Sequence, residues 1–240
     1  MKRIHYILLI FGILISCKND KCNVIFKTSG NLTLVDTSNE NHHEFKTYDS
    51  TNRMSIFPIY YLGKVKDTIK LRKKPISIFE FRENKYENRN FAFPDSNKIK
   101  IIVDTNFNLT HTEYYKHYSK DSKLIIDSSR TFYAYPIFIY NLSDSLINIA
   151  NFNELRYTIR QAKNEFGNWV DIEKPIRYSC GTGGRTLAIK PKQLLIAKLE
   201  RFNGQIKTEC RLKFLFFSSD TIYSNTYFEH LDKRQLVGIF

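Results

Sequence analysis

Residues 194–217 read LLIAKLERFNGQIKTECRLKFLFF, two strand-length apolar runs divided by Asn203-Gly204. Asn-Gly between strand-like runs is a strong hairpin cue, because both central residues of a type I′ turn need positive φ. The stretch is therefore expected to fold as a β-hairpin, with residues 194–202 and 206–217 as its arms. A second turn signal, Glu165-Phe166-Gly167-Asn168, joins residues 155–162 to residues 169–172. In the first of these segments Leu155, Tyr157, Ile159 and Gln161 recur with the period of two that a half-buried strand requires. Residues 131–141 also alternate and end in Asn141-Leu142-Ser143-Asp144, a turn composition, and residues 222–228 supply the last strand. About seven strands in roughly 100 residues, with these turns, describe an immunoglobulin-like sandwich.

The first half continues the pattern. Strand-length runs occupy residues 24–26, 32–35, 56–62, 65–71, 76–81 and 99–103, separated by turn-rich pieces at 36–41 and 94–97. Residues 83–90 are highly polar and read as a loop or a short helix. Composition agrees: 19 Phe, 15 Tyr and one Trp favour pleated, half-buried surfaces. The fold class expected is all-β, a β-sandwich. Phe57-Pro58-Ile59-Tyr60 recurs as Tyr135-Pro136-Ile137-Phe138, so either one sandwich or two in tandem is compatible with the chain. The organisation expected is a signal at 1–16, a tether at 17–23, an N-terminal β domain at 24–130 and the immunoglobulin-like sandwich at 131–240.

The N-terminus carries an address. Lys2 and Arg3 precede a nearly unbroken apolar run over residues 4–15, and Leu14-Ile15-Ser16-Cys17 closes it. Twelve residues of helix reach roughly 18 Å, short of the roughly 30 Å of a bilayer's hydrocarbon, so the run reads as a secretory signal and not a membrane span. The closing quartet resembles the lipobox of bacterial lipoproteins, which implies lipidation of Cys17. Stable anchoring then follows from two or more acyl chains, each buried methylene contributing about 0.8 kcal/mol. Gly167-Asn168-Trp169, Ile172-Glu173, Cys180-Gly181, Asn203-Gly204 and Tyr223-Ser224-Asn225 resemble uncharacterised Bacteroidota lipoproteins, a likeness over about the last 110 residues that implies no activity. Surface-displayed members of that group share an acidic cluster after the cysteine. Here Lys18-Asn19-Asp20-Lys21 carries two lysines and one acid, which points to a periplasm-facing attachment at the outer membrane.

Without residues 1–16 the balance is 35 basic against 24 acidic residues, or +11. Export argues against nucleic acid as the partner, leaving the membrane itself through the lipid anchor, an envelope protein, or an anionic glycan. The densest basic stretch, Lys70-Leu71-Arg72-Lys73-Lys74, reads as a strand end and a loop. Tyr114, Tyr115 and Tyr118 form a candidate contact patch.

An oxidising compartment favours pairing among the remaining cysteines, and Cys180 with Cys210 is the expected disulfide. Closing that separation contributes about 3.6 kcal/mol in the chain-entropy picture. Catalytic chemistry finds little support. Ser179-Cys180-Gly181-Thr182-Gly183-Gly184-Arg185 lacks the ending of a phosphate loop, and neither His117 nor His230 completes a nucleophile's trio by spacing. His42, His43, His111 and His117 match no zinc spacing, and Asp104, Asp127 and Asp171 are dispersed at strand ends. No catalytic residue, cofactor or metal ligand is expected. The functional expectation is a lipid-anchored, non-catalytic binding or assembly module, the alternative being an envelope hydrolase using Cys180 or a carboxylate pair.

Overall fold

A computed structural model of the chain describes residues 32–37, 42–49, 54–76, 91–92, 94–119, 121, 124–151, 154–155, 158–175, 186–215 and 221–237. The expected signal, the tether, Cys17, Cys22, Cys180 and the polar stretch at 83–90 lie outside the described residues. Residues 32–240 form one compact unit. Its strands are β1 (Thr33–Val35), β2 (Met54–Ser55), β3 (Ile59–Lys64), β4 (Thr68–Lys70), β5 (Ile99–Val103), β6 (Leu109–Tyr118), β7 (Leu124–Asn141), β8 (Ile147–Asn151) and β9 (Glu154–Leu155). They continue with β10 (Thr158–Lys163), β11 (Trp169–Asp171), β12 (Lys174–Pro175), β13 (Thr186–Ile189), β14 (Gln193–Glu200), β15 (Ile206–Leu215), β16 (Thr221–Tyr223) and β17 (Tyr227–Leu231). The fold is all-β and sandwich-like, and no helix among the described residues is long and apolar enough to cross a membrane.

The central sheet runs β3-β14-β7-β5, with β6 continuing along β7 beyond β5. A second sheet places β15 between β10 and the successive strands β17 and β16, with β11 outside β10. Alternation along each strand supplies the layer between them. Tyr135, Ile137 and Ile139 of β7, and Leu195, Ala197 and Leu199 of β14, pack with Cys210, Leu212 and Phe214 of β15. The opposite face of the central sheet is covered as well: Leu194, Ile196, Phe138 and Tyr60 pack with Leu34 of β1 and Ile69 of β4. The central sheet is thus buried on both faces, which explains its near-continuous apolar runs.

Three sequence expectations change. The runs on either side of Asn203-Gly204 are not partners, since β14 belongs to the central sheet and β15 to the facing one. Asn203-Gly204 is a crossing between layers. Gly204 donates its N–H to the His230 carbonyl at 2.9 Å, and a Cβ there would stand 2.0 Å from the Leu231 carbonyl carbon. Glycine is selected for close backbone approach. The hairpin expected at Glu165-Phe166-Gly167-Asn168 does form, between β10 and β11, and Gly167 takes the left-handed φ of +76° there.

The boundary expected between residues 130 and 131 falls inside β7, which pairs with β5 and β6 from the first half and with β14 from the second. Strands of the two halves interleave in one sheet, so among the described residues no linker parts them at that boundary. The repeated Pro-Ile segments flank β14 on either side: Ala197 sits opposite Ile59 in β3 and Ile137 in β7. They are equivalent positions in one sheet.

The third change concerns Cys210, whose thiol is free and fully buried in the layer between the sheets. Its Sγ faces the Thr208 carbonyl at 3.9 Å, where the expectation had a bridge to Cys180.

Candidate functional site

On the second face of the central sheet, β14 begins apolar with Leu194 and Ile196 and turns charged with Lys198 and Glu200. Strand periodicity puts all four side chains on one face. Lys198 is 0% exposed and Glu200 3%. Charges buried so completely must be paired, because an isolated ion in such surroundings is strongly disfavoured.

The neighbouring strands supply the partners. Lys198 Nζ donates to both carboxylate oxygens of Asp36, each at 2.9 Å, and to the Thr110 carbonyl, and it lies 4.0 Å from the centre of the Tyr60 ring. The Tyr60 hydroxyl is 2.7 Å from His111 Nδ1. On the far side of that ring, His111 Nε2 is 3.4 Å from Glu200 Oε1, while Lys46 Nζ reaches Glu200 Oε2 at 2.5 Å. Glu113, two residues along β6 from His111, hydrogen-bonds to Glu200. Across the sheet Glu200 stands opposite Ala134 of β7, which in turn stands opposite Leu109 of β6. The small Ala134 side chain leaves the Glu200 carboxylate room to reach over β7 to His111 and Glu113.

Burial sets the protonation states. Desolvation pulls His111 down to about 4, against the pull of Glu200, so its imidazole is neutral at physiological pH. Burial also raises Tyr60, keeping its hydroxyl protonated. Glu113 is pushed up to about 7, first by desolvation and then by the Glu200 charge beside it. Glu200 moves the other way: desolvation would raise it, and the Lys46 charge, with the hydrogen bonds from Lys46 and Glu113, outweighs that, so the net shift is downward. Of the two carboxyls, Glu113 is therefore the one that takes up a proton as pH falls through about 7. Because the ionised Glu200 only accepts, the arrangement that satisfies every partner has Tyr60 donating to Nδ1 and Nε2–H facing Glu200.

A second charged group lies beside the first. Arg160 of β10 is fully buried and donates from Nη1 to both oxygens of Glu229 at 3.0 and 3.1 Å, and from Nη2 to the Glu200 carbonyl at 2.9 Å. Its Nε is 3.3 Å from Glu173 Oε2, close enough for charge pairing but not aligned as a hydrogen bond. Burial pulls the guanidinium pKa down, and Glu173 with Glu229 outweighs it. Glu200 thus joins both groups, its carboxylate on one and its carbonyl on the other. A shallow crevice lined by Lys46, Tyr48, Glu173 and Phe202 opens beside them.

The residues singled out from sequence fall elsewhere, His111 excepted. His117 is exposed and paired with Asp127 at 2.8 Å, and Asp171 accepts from Gln161 at 2.6 Å. Asp104 accepts from the Asn106 N–H at 2.9 Å, closing a local turn. Burial pushes the Cys210 thiol up, away from nucleophilic use. Asp36, Lys46, Tyr60, Glu113, Lys198 and Glu200 were not anticipated. The available signal was Lys198 and Glu200, spaced by two in a strand whose other same-face residues are apolar.

Beyond this site β6 and β7 continue as a two-stranded arm. Tyr115, His117 and residues 125–130 are exposed, with Tyr115 at 44%, Ile125 at 41% and Ile126 at 50%. Among the described residues, the 124–130 part of β7 pairs with β6 alone. No family model, curated protein or solved structure matches the chain.

Proposed function

We propose that the chain is a lipid-anchored protein of the cell envelope, held at the outer membrane through Cys17 and facing the periplasm, that works as a non-catalytic binding or assembly module. The β6–β7 arm carries the binding part of this reading. It offers exposed apolar side chains on a ribbon whose outer edges pair with no further strand among the described residues, the geometry by which sheets recruit extended segments of other proteins. Tyr115, from the tyrosine patch read in the sequence, lies on it, Tyr114 is half-buried at its base, and the Tyr118 side chain lies outside the described ones. An envelope protein with an extended segment suits such an edge better than an anionic glycan does. The charged, aligned signal ending in Leu14-Ile15-Ser16-Cys17 supports the anchoring part.

The hydrolase alternative would draw on Glu113 and Glu200. Glu200, however, is only 3% exposed, with Lys46 on one carboxylate oxygen and His111 beside the other, which favours a pair closed to a bulky substrate.

Two measurements test the reading. Palmitate labelling and membrane fractionation should both be lost in Cys17→Ser; a variant that fractionates like the parent refutes the anchor. A photo-crosslinker at Tyr115 or Ile126 in intact cells should give a discrete adduct. The same probe at Phe166, 78% exposed on the β10–β11 hairpin, should give none. Equal or absent labelling at all three positions rejects the arm as the contact.

A further inference from the structure

We infer that His111, Glu113 and Glu200 form a binding site for a divalent transition-metal ion of the Zn2+ or Mn2+ class. Each side chain offers one ligand atom, and the three atoms lie within 4.8 Å of one another. His111 Nε2 and Glu200 Oε1 are 3.4 Å apart, about the edge of a tetrahedron whose ligands sit roughly 2.1 Å from a central ion. Glu113 supplies the third ligand atom within the same 4.8 Å, from a half-buried position that also gives the ion its way in.

The surroundings hold these ligands as a metal requires. All three project from paired strands, so their backbones are fixed. The Tyr60 hydroxyl at 2.7 Å from His111 Nδ1 is the outer hydrogen bond that orients a ligating imidazole and leaves Nε2 for the ion. Lys46 occupies Glu200 Oε2, leaving Oε1 as the ligand atom. Lys198 is held by Asp36 and the Thr110 carbonyl. One imidazole with two carboxylates is a borderline donor set. Ca2+ needs six to eight oxygens and Mg2+ a near-octahedral oxygen shell, and neither is served by three ligands that include a nitrogen.

The test is equilibrium dialysis of the full-length protein in detergent against Zn2+, Mn2+ and Mg2+ separately, with metal content measured and the histidine ring nitrogens followed by NMR. One equivalent of Zn2+ or Mn2+ should be retained and Mg2+ should not. On loading, the His111 signals should change from Nε2-protonated to Nε2-ligated, the proton moving to Nδ1 where Tyr60 accepts it. Glu113→Gln, at a half-buried position, should weaken binding at least tenfold, and Tyr60→Phe by roughly tenfold through loss of the orienting bond. His117→Asn, which removes the exposed His117–Asp127 pair, should leave it unchanged. No retained equivalent at about 100 µM metal, well above the affinity of built sites, overturns the inference. So does binding that Glu113→Gln leaves intact, or that proceeds without a change at His111.

Discussion

Lys198 and Asp36 meet as a two-oxygen ion pair: both Asp36 carboxylate oxygens lie 2.9 Å from an ammonium nitrogen whose side chain is fully buried. Desolvation dominates the lysine, lowering it from 10.5 to about 8 even with Asp36 pulling the other way. Between those two pH values the unfolded chain holds a proton that the folded one gives up, so stability rises with pH across the window. The penalty for the buried ammonium is complete below about pH 8. Near pH 10 Tyr60 starts to act with the opposite sign, because the fold keeps its hydroxyl protonated. Asp36→Asn should cost roughly 3 to 5 kcal/mol near neutral pH, since it strands a buried charge, and clearly less at about pH 9.5. Lys198→Met should remove the pH dependence in that window. Urea unfolding of the three proteins at both pH values decides it, and an Asp36→Asn penalty that does not shrink contradicts the account.

The two turn glycines separate two reasons for the same residue. A methyl at Gly204 would meet the Leu231 and Asp232 backbone at 2.0 to 2.2 Å, and no rotamer change moves a backbone. Gly204→Ala should therefore cost about 3 kcal/mol or more, at the severe end of overpacking. Gly167 has open space around it but a φ of +76°, so Gly167→Ala should cost only about 1 to 2 kcal/mol through left-handed strain. Thermal unfolding of the pair should show the larger drop at Gly204. Equal losses would mean that the crossing between sheets tolerates displacement.

How much of this was readable follows from which force left a local mark. Residues 99–103 alternate as a strand and are one, and the β10–β11 hairpin announces itself through Gly167. Strand β6 left no such mark, because its inward positions include His111 and Thr112, which are buried, and Glu113, which is half-buried, polar residues held by partners from other strands. Asn203-Gly204 misled for a related reason: the glycine answers to Leu231, 27 positions away. Of the charge cluster only Lys198 and Glu200, spaced by two on an otherwise apolar strand face, left a local mark. Asp36, Lys46, Tyr60, His111, Glu113 and Glu200 converge only because β14 lies between β3 and β7, and that order is set by long-range pairing.

Cys210 offers a chemical check on the core. Its thiol is free, 0% exposed and raised by burial, with Glu229 adding to the effect. Thiolates are the reactive species, so Cys210 should resist maleimide in the folded protein and react once urea unfolds it. Peptide mapping distinguishes it from the other cysteines. A peptide joining Cys210 to Cys180 in the isolated protein would show that a disulfide forms there after all.

Arg160 gives the sharpest test of how buried charges are held in this fold. It serves Glu229 through two hydrogen bonds, Glu173 through charge and the Glu200 carbonyl through a third bond, and its guanidinium lies 4.6 Å from the Phe202 ring centre. Arg160→Met leaves two carboxylates in the interior and should destabilise by roughly 3 to 5 kcal/mol. Glu229 is already raised by desolvation, so the variant should take up a proton on folding and lose further stability as pH rises. Replacing both partners, as Arg160→Met with Glu229→Met, should recover a large part of that loss, because an apolar pair needs no compensation in such surroundings. A double-mutant cycle by urea unfolding measures the coupling. Additive losses would mean that Glu173 alone, and not the Arg160–Glu229 pair, determines the stability of this end of the sandwich.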